Sequence, residues 1–220
     1  MRSSFTISTA ASSKNLTTRS RAKTLLNITS GDDDAYLDLV IPQVSSLICT
    51  YLGVARANDG TMTLGQETVV ETIRLDRDMK ELVLSRQPVS SISQVLEDDD
   101  AVADALESDE YEVDAAGLLR RMDGDDHESI WTAWKVRVTY VAGWVLPGDS
   151  GTITLPEEIE EAAIELIKLA RTARTRDPLV KSETVDGVGR QDFWVGGIGE
   201  GSLPPNITMK IDAYRNDYFP

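Results

Sequence analysis

The side chains best equipped for chemistry lie in three acidic runs and around one histidine. Asp32-Asp33-Asp34, Glu97-Asp98-Asp99-Asp100 and Asp123-Gly124-Asp125-Asp126-His127-Glu128 offer the oxygen ligands that hard divalent cations take. None has the acid-x-acid-x-acid-Gly spacing, with a distant Glu, that wraps a cation in a loop. His127 is the chain's one histidine and has no serine or cysteine nucleophile at a recognisable spacing, so it reads as a solvated loop residue. Gly196-Gly197-Ile198-Gly199-Glu200-Gly201 has the glycine density of a phosphate loop. No Gly-Lys-Ser/Thr follows it, and Pro204-Pro205 argues against the helix that such a loop must open. Cys49, the one cysteine, falls on an apolar helical face and reads as a small buried hydrophobe. The sequence therefore assigns no catalytic residue, no metal ligand and no cofactor.

Charge narrows the classes further. A net charge of -15 and a pI near 4.4 oppose a protein that grips nucleic-acid phosphates, which needs clustered Lys and Arg. The cations gather instead in the first 25 residues and at the end of one long helix. No apolar run approaches the length of a membrane span, and the basic N-terminus lacks the apolar stretch of a secretory signal. A soluble chain of a reducing compartment is expected. With 220 residues and 41% hydrophobic content it has material for a single core.

The organising stretch runs from Trp131 to Arg176. Lys135 to Val141 alternates polar and apolar residues as a strand does, and a Gly/Pro turn region over 143–151 follows. Pro156 and Glu157, Glu158, Glu160 and Glu161 then open a helix that closes on Arg171, Arg174 and Arg176 before Pro178. Ile159, Ala162, Ala163, Leu166, Ile167, Leu169, Ala170 and Ala173 form an apolar stripe roughly 160° wide, with Ile164 outside it.

Earlier in the chain, residues 1–15 read as a mobile Ser/Thr/Ala-rich arm. Leu16 to Ile28 predicts a short helix capped by Thr17 or Thr18. The acidic run at 32–34 opens a second helix, with Leu37, Val40, Ile41, Val44, Leu47, Ile48, Tyr51 and Leu52 on one face and a kink expected at Pro42. Short strands are predicted at Thr68–Leu75, Glu81–Ser85 and Val89–Leu96. An acidic insertion follows to about Glu110, then a hairpin over Tyr111–Asp114 and Leu118–Arg121. The last segment carries Phe193, Trp194, Tyr214, Tyr218 and Phe219, aromatics of the kind that dock.

The order of these segments resembles the head-tail connector (adaptor) family of tailed bacteriophages. The likeness is carried by Leu16 to Ile28, Asp33 to Gly53, Val83 to Val89, Tyr111 to Asp114, Val136 to Trp144, Leu155 to Ile159, Val180 to Glu183 and Pro204 to Arg215. It implies an α+β, mainly helical fold: a small helical bundle with a short antiparallel β element and extended terminal arms. The expected division is a flexible arm over 1–15, a connector domain over 16–176 with its β insertion near 68–144, and a docking arm over 177–220. The resemblance also implies a structural virion protein at the neck, made in the bacterial cytoplasm. It would form a ring of about a dozen copies beneath the portal and hold the stopper or tail-completion protein below it. DNA would pass through without specific binding, and no membrane would be involved. Arg171, Arg174 and Arg176 are the expected contacts to an acidic neighbour, and Phe193, Trp194, Tyr214, Tyr218 and Phe219 the docking aromatics. The alternatives are a head-completion or tail-completion protein of the stopper or terminator kind and, from a different class, a metal-dependent enzyme.

Overall fold

The computed structural model describes residues 2–98, 103–114, 116–174, 182–185, 189–192 and 203–216. Among these are eleven strands and four α-helices, of which α1 and α4 have only seven residues each. The expected mainly helical bundle is therefore wrong: antiparallel sheets make up at least as much of the chain as helix does. The strand signals were individually short, whereas the two long helices dominate any reading by periodicity. Two compact units result, one from Met1–Lys14 and Val54–Thr154, the other from Asn15–Gly53 and Leu155–Asn216.

The first unit is built on a five-stranded antiparallel sheet in the order β1-β2-β9-β4-β5, formed by Arg2–Thr9, Glu67–Arg74, Lys135–Ala142, Val89–Asp98 and Ala103–Ala105. Its central strands alternate as strands with one covered face must. Val69, Glu71 and Ile73 of β2 and Val136, Val138 and Tyr140 of β9 are buried. A second antiparallel sheet, β3-β7-β6 (Glu81–Val83, Leu118–Met122, Tyr111–Val113), with β8 (Glu128–Ser129) on β7, supplies Leu82 and Leu119 to the same core, which Leu84 and Trp131 complete.

Residues 2–9 are an edge strand, not the mobile arm the composition suggests. Phe5 and Ile7 point toward the core while Ser4, Thr6 and Ser8 stay outside, an alternation too short and too hydroxyl-rich to register as a strand signal. The acidic insertion likewise begins in ordered structure: β4 extends to Asp98 and pairs with β5.

The second unit is helical. In α1 (Arg19–Leu25), the Thr18 hydroxyl caps the start by accepting from the Arg21 N–H at 3.4 Å. Helix α2 (Asp34–Tyr51) continues through the exposed Pro42 as one element and buries Leu37, Val40, Ile41, Val44 and Ile48. Each such side chain contributes about 1.5–3 kcal/mol relative to remaining in water. The buried Ser45 hydroxyl donates to the Ile41 carbonyl at 2.8 Å and accepts from the Leu16 N–H at 3.0 Å, so it costs no unmatched polar group. Helix α3 (Glu157–Ala173) buries Ile159, Ala162, Ala163, Leu166 and Ile167. It differs from the predicted stripe at the edges, since Ile164 is covered while Leu169 and Ala173 are exposed. Strands β10 (Ser182–Val185) and β11 (Gly189–Asp192) form a hairpin. Pro204-Pro205 opens α4 (Pro205–Ile211), because a proline at the first helical position gives up an N–H that has no intrahelical partner. Ile207 and Ile211 are fully buried there.

Candidate interaction surfaces

No three of His, Cys, Asp and Glu converge among the described residues as a cation would require. His127 is 77% exposed and its Nδ1 lies 3.4 Å from Asp123, within its own loop. Cys49 is buried.

The predicted contact residues have intrachain roles where the structure describes them. Asp33, at the start of α2, accepts from the Arg171 Nε at 2.8 Å and from Arg174 at 3.5 Å, so the two cations at the end of α3 tie that helix to α2. Arg174 also stacks over the Tyr36 ring at 4.5 Å. Burial raises the Tyr36 phenol above its ordinary range, against the opposing pull of Arg174. Tyr214 donates to Glu158 at 3.0 Å, and the Asn216 N–H reaches the Leu52 carbonyl at 2.9 Å, which holds the segment after α4 onto its own unit. Arg171 and Arg174 keep about half their side-chain surface in solvent. Arg176, Phe193, Trp194, Tyr218 and Phe219 lie outside the described residues.

Two buried polar nodes were not legible as such. Glu160 looks like a solvated first-turn acid, yet it is covered. It accepts from the Thr17 hydroxyl at 2.9 Å and from Arg21 in a two-pronged bond, at 2.7 Å from Nε and 2.6 Å from Nη2. That bond raises the Arg21 guanidinium further. In the sheet unit, Glu71 is fully buried and takes four donors: the Ser85 N–H at 2.9 Å, the Ser85 hydroxyl at 2.6 Å, the Tyr140 hydroxyl at 2.7 Å and the Ser3 hydroxyl. Burial first, and then the Glu71 charge, push the Tyr140 phenol far above its ordinary range. Beside it Arg86 donates to the Thr63 carbonyl at 2.9 Å and faces Glu67 at 3.3 Å. Desolvation raises Glu67, and Arg86 pulls it back. Each node is closed by its own neighbours, which makes them structural.

Several large apolar side chains and one group of cations are exposed. Leu25, Leu39, Leu169 and Met209 are exposed on the helical unit; Ile130, Trp134 and Ile153 are exposed on the sheet unit. The uncovered face of the five-stranded sheet carries Thr and Ser along most of its length and basic residues at one end. There the cross-strand row reads Arg2, Arg74, Lys135, Asp98, with Arg137 two residues along β9 from Lys135. Lys135 pairs with Asp98 and sits over the Trp134 ring at 4.8 Å.

Comparison with known proteins gives these surfaces a context. The family model described as "Head completion protein" matches residues 15–216. Two solved structures share the fold. One is a chain of the neck of an empty gene transfer agent particle computed with C6 symmetry, at TM-score 0.53 and 15% identity, covering 96% of this chain and 94% of that one. The other is a chain of the virion of a native gene transfer agent particle, at TM-score 0.51 and 14% identity, with the same coverage of 96% and 94%. No curated protein matches. Because the family model runs through both units and almost the whole chain, the chain belongs to the head completion protein family, the structural proteins of the junction between head and tail.

Proposed function

We propose that the protein is the ring-forming adaptor of that junction. It seats beneath the portal, extends the path of the DNA, and presents the platform on which a stopper or tail-completion protein docks. The observation that carries the proposal is the shared fold over 96% of the chain with a neck component, both units included. The neck structure it resembles was computed with C6 symmetry, and a ring of about twelve copies would be compatible with that as two per repeat.

The acidic balance supports the same reading. A chain at -15, repeated around a ring, repels a polyanion in its lumen and lets DNA slide. Mass measured by native mass spectrometry or light scattering, alone and with purified portal, tests it. A closed ring, or subunits recruited by portal in ring number, is the expected result; a monomer that ignores portal overturns it. The family description favours one second reading, a completion protein that docks below an adaptor. That protein would bind a preformed adaptor ring and leave bare portal untouched.

A further inference from the structure

We infer that neighbouring copies of this chain meet head to tail through the two opposite edges of the five-stranded sheet, the cationic β1 side of one copy against the acidic β5 side of the next. The inference rests on the ring proposed above and names the surfaces that would close it.

Strand β1 is an edge of the sheet, paired only with β2 among the described residues. Exposed edges are ordinarily blunted by proline, by an inward charge, by extreme shortness or by cover. Here eight residues run without proline, and the only charge is Arg2 at the very end. The strand therefore offers a row of backbone donors and acceptors to another chain.

Charge states what that chain should carry. Arg2, Arg74 and Lys135 are direct cross-strand neighbours, an arrangement that repels unless anions answer it. Asp98 answers Lys135 from β4, and Asp76 lies within electrostatic reach of Arg2. Arg74, on the strand next to the edge, has no ion-pair partner among the described residues. Three cations in one cross-strand row, Arg2, Arg74 and Lys135, are conspicuous in a chain at -15.

The complementary surface lies at the other edge of the same sheet. Strand β5 is three residues long and fully exposed, and Asp104 and Glu107 project there into solvent. Two different patches on opposite edges of one sheet make a heterologous contact, and such contacts close into rings when the rotation between copies permits. An isologous dimer would instead bring cation to cation or acid to acid, which costs several-fold in affinity for each like pair.

Charge exchange decides the matter on the full-length chain. R2E/R74E reverses the basic side, on the edge strand and the strand next to it, and D104K/E107K reverses the acidic side. Each variant alone should lose self-association on the order of a hundredfold, read by analytical ultracentrifugation against the wild type. Mixing the two should restore mixed oligomers, because each now complements the other at both edges. A single chain carrying all four changes should assemble alone. The restoring mixture also demonstrates that both variants fold, and Arg2→Gln with Arg74→Gln gives a gentler loss that places no new acid on the sheet. Variants that assemble like the wild type overturn the inference while leaving the ring intact. Failure of the mixture to recover, with both variants folded by circular dichroism, overturns it equally. Unchanged assembly with weakened retention of duplex DNA would assign the basic end to a polyanion and overturn it as well. A wild-type chain that never associates, with or without portal, removes the ring itself and this contact with it.

Discussion

Glu71 is the residue on which the sheet unit depends most. It has four donors around one buried carboxyl, so removing it strands several groups at once. Glu71→Ala is expected to cost roughly 3–5 kcal/mol in chemical denaturation, and Glu71→Gln distinctly less, since an amide keeps one acceptor oxygen. Tyr140 makes the pH dependence explicit. Its phenol is raised in the folded state above the unfolded value of 10.0, so the stability it contributes is fully present below pH 10 and is lost as pH rises beyond it. Above pH 10 the wild type should lose about 1.4 kcal/mol per pH unit from this group. Tyr140→Phe should be less stable at neutral pH, where Glu71 loses a donor, and flatter on the alkaline limb; equal alkaline slopes would refute the assignment. Neither node was visible in the sequence. Glu71 shares the parity of Val69 and Ile73 in β2 and so falls on the core face, but that its carboxylate is answered there depends on the tertiary placement of Ser85 and Tyr140; Glu160 stands in a first helical turn where a carboxylate ordinarily faces water, and only Thr17 and Arg21 make it internal.

At the scale of elements, much was legible and the errors have clear causes. Strand β9 follows from its period-two alternation, β2, β3 and β4 from short strand-forming runs, β6 and β7 from the hairpin signal, and α2 and α3 from their apolar faces, their acidic starts and, for α3, its basic end. Strand β1 escaped because Phe5 and Ile7 are its only inward apolar residues, so it is recognisable only beside β2. Helix α4 escaped because a proline pair reads as a breaker unless the chain beyond it packs, as Ile207 and Ile211 do. The balance of fold class tipped on such elements. The sharpest constraint on an element lies at Gly143, just after β9. Its φ is +101°, and an added Cβ would stand 2.4 Å from the Gly65 carbonyl oxygen. Gly143→Ala should destabilise by several kcal/mol, whereas Gly60→Ala, at φ +83° with open space around it, should cost only about 1–2 kcal/mol. On α2, Leu37→Ala should cost roughly 2–5 kcal/mol. Leu39→Lys, at a site 68% exposed, should leave stability within about 0.5 kcal/mol.

At the scale of the whole molecule, the chain has two compact units with different secondary structure, and that predicts how it unfolds. Trp131, Trp134 and Trp144 belong to the sheet unit, while the far-ultraviolet dichroism comes mostly from the helices of the other. In a Trp194→Phe background the fluorescence and dichroism transitions in denaturant should separate; superimposed curves would mean that the units open as one. The helical unit also has a consequence for synthesis. Its α2 and α3 pack together, but every residue of the sheet unit between Val54 and Thr154 is translated in the interval. The apolar face of α2, with Leu37, Val40, Val44 and Ile48, therefore waits uncovered on the nascent chain until α3 leaves the ribosome. The helical unit, begun at Asn15 ahead of most of the sheet unit, is finished only after it, and chaperones have that window in which to hold it.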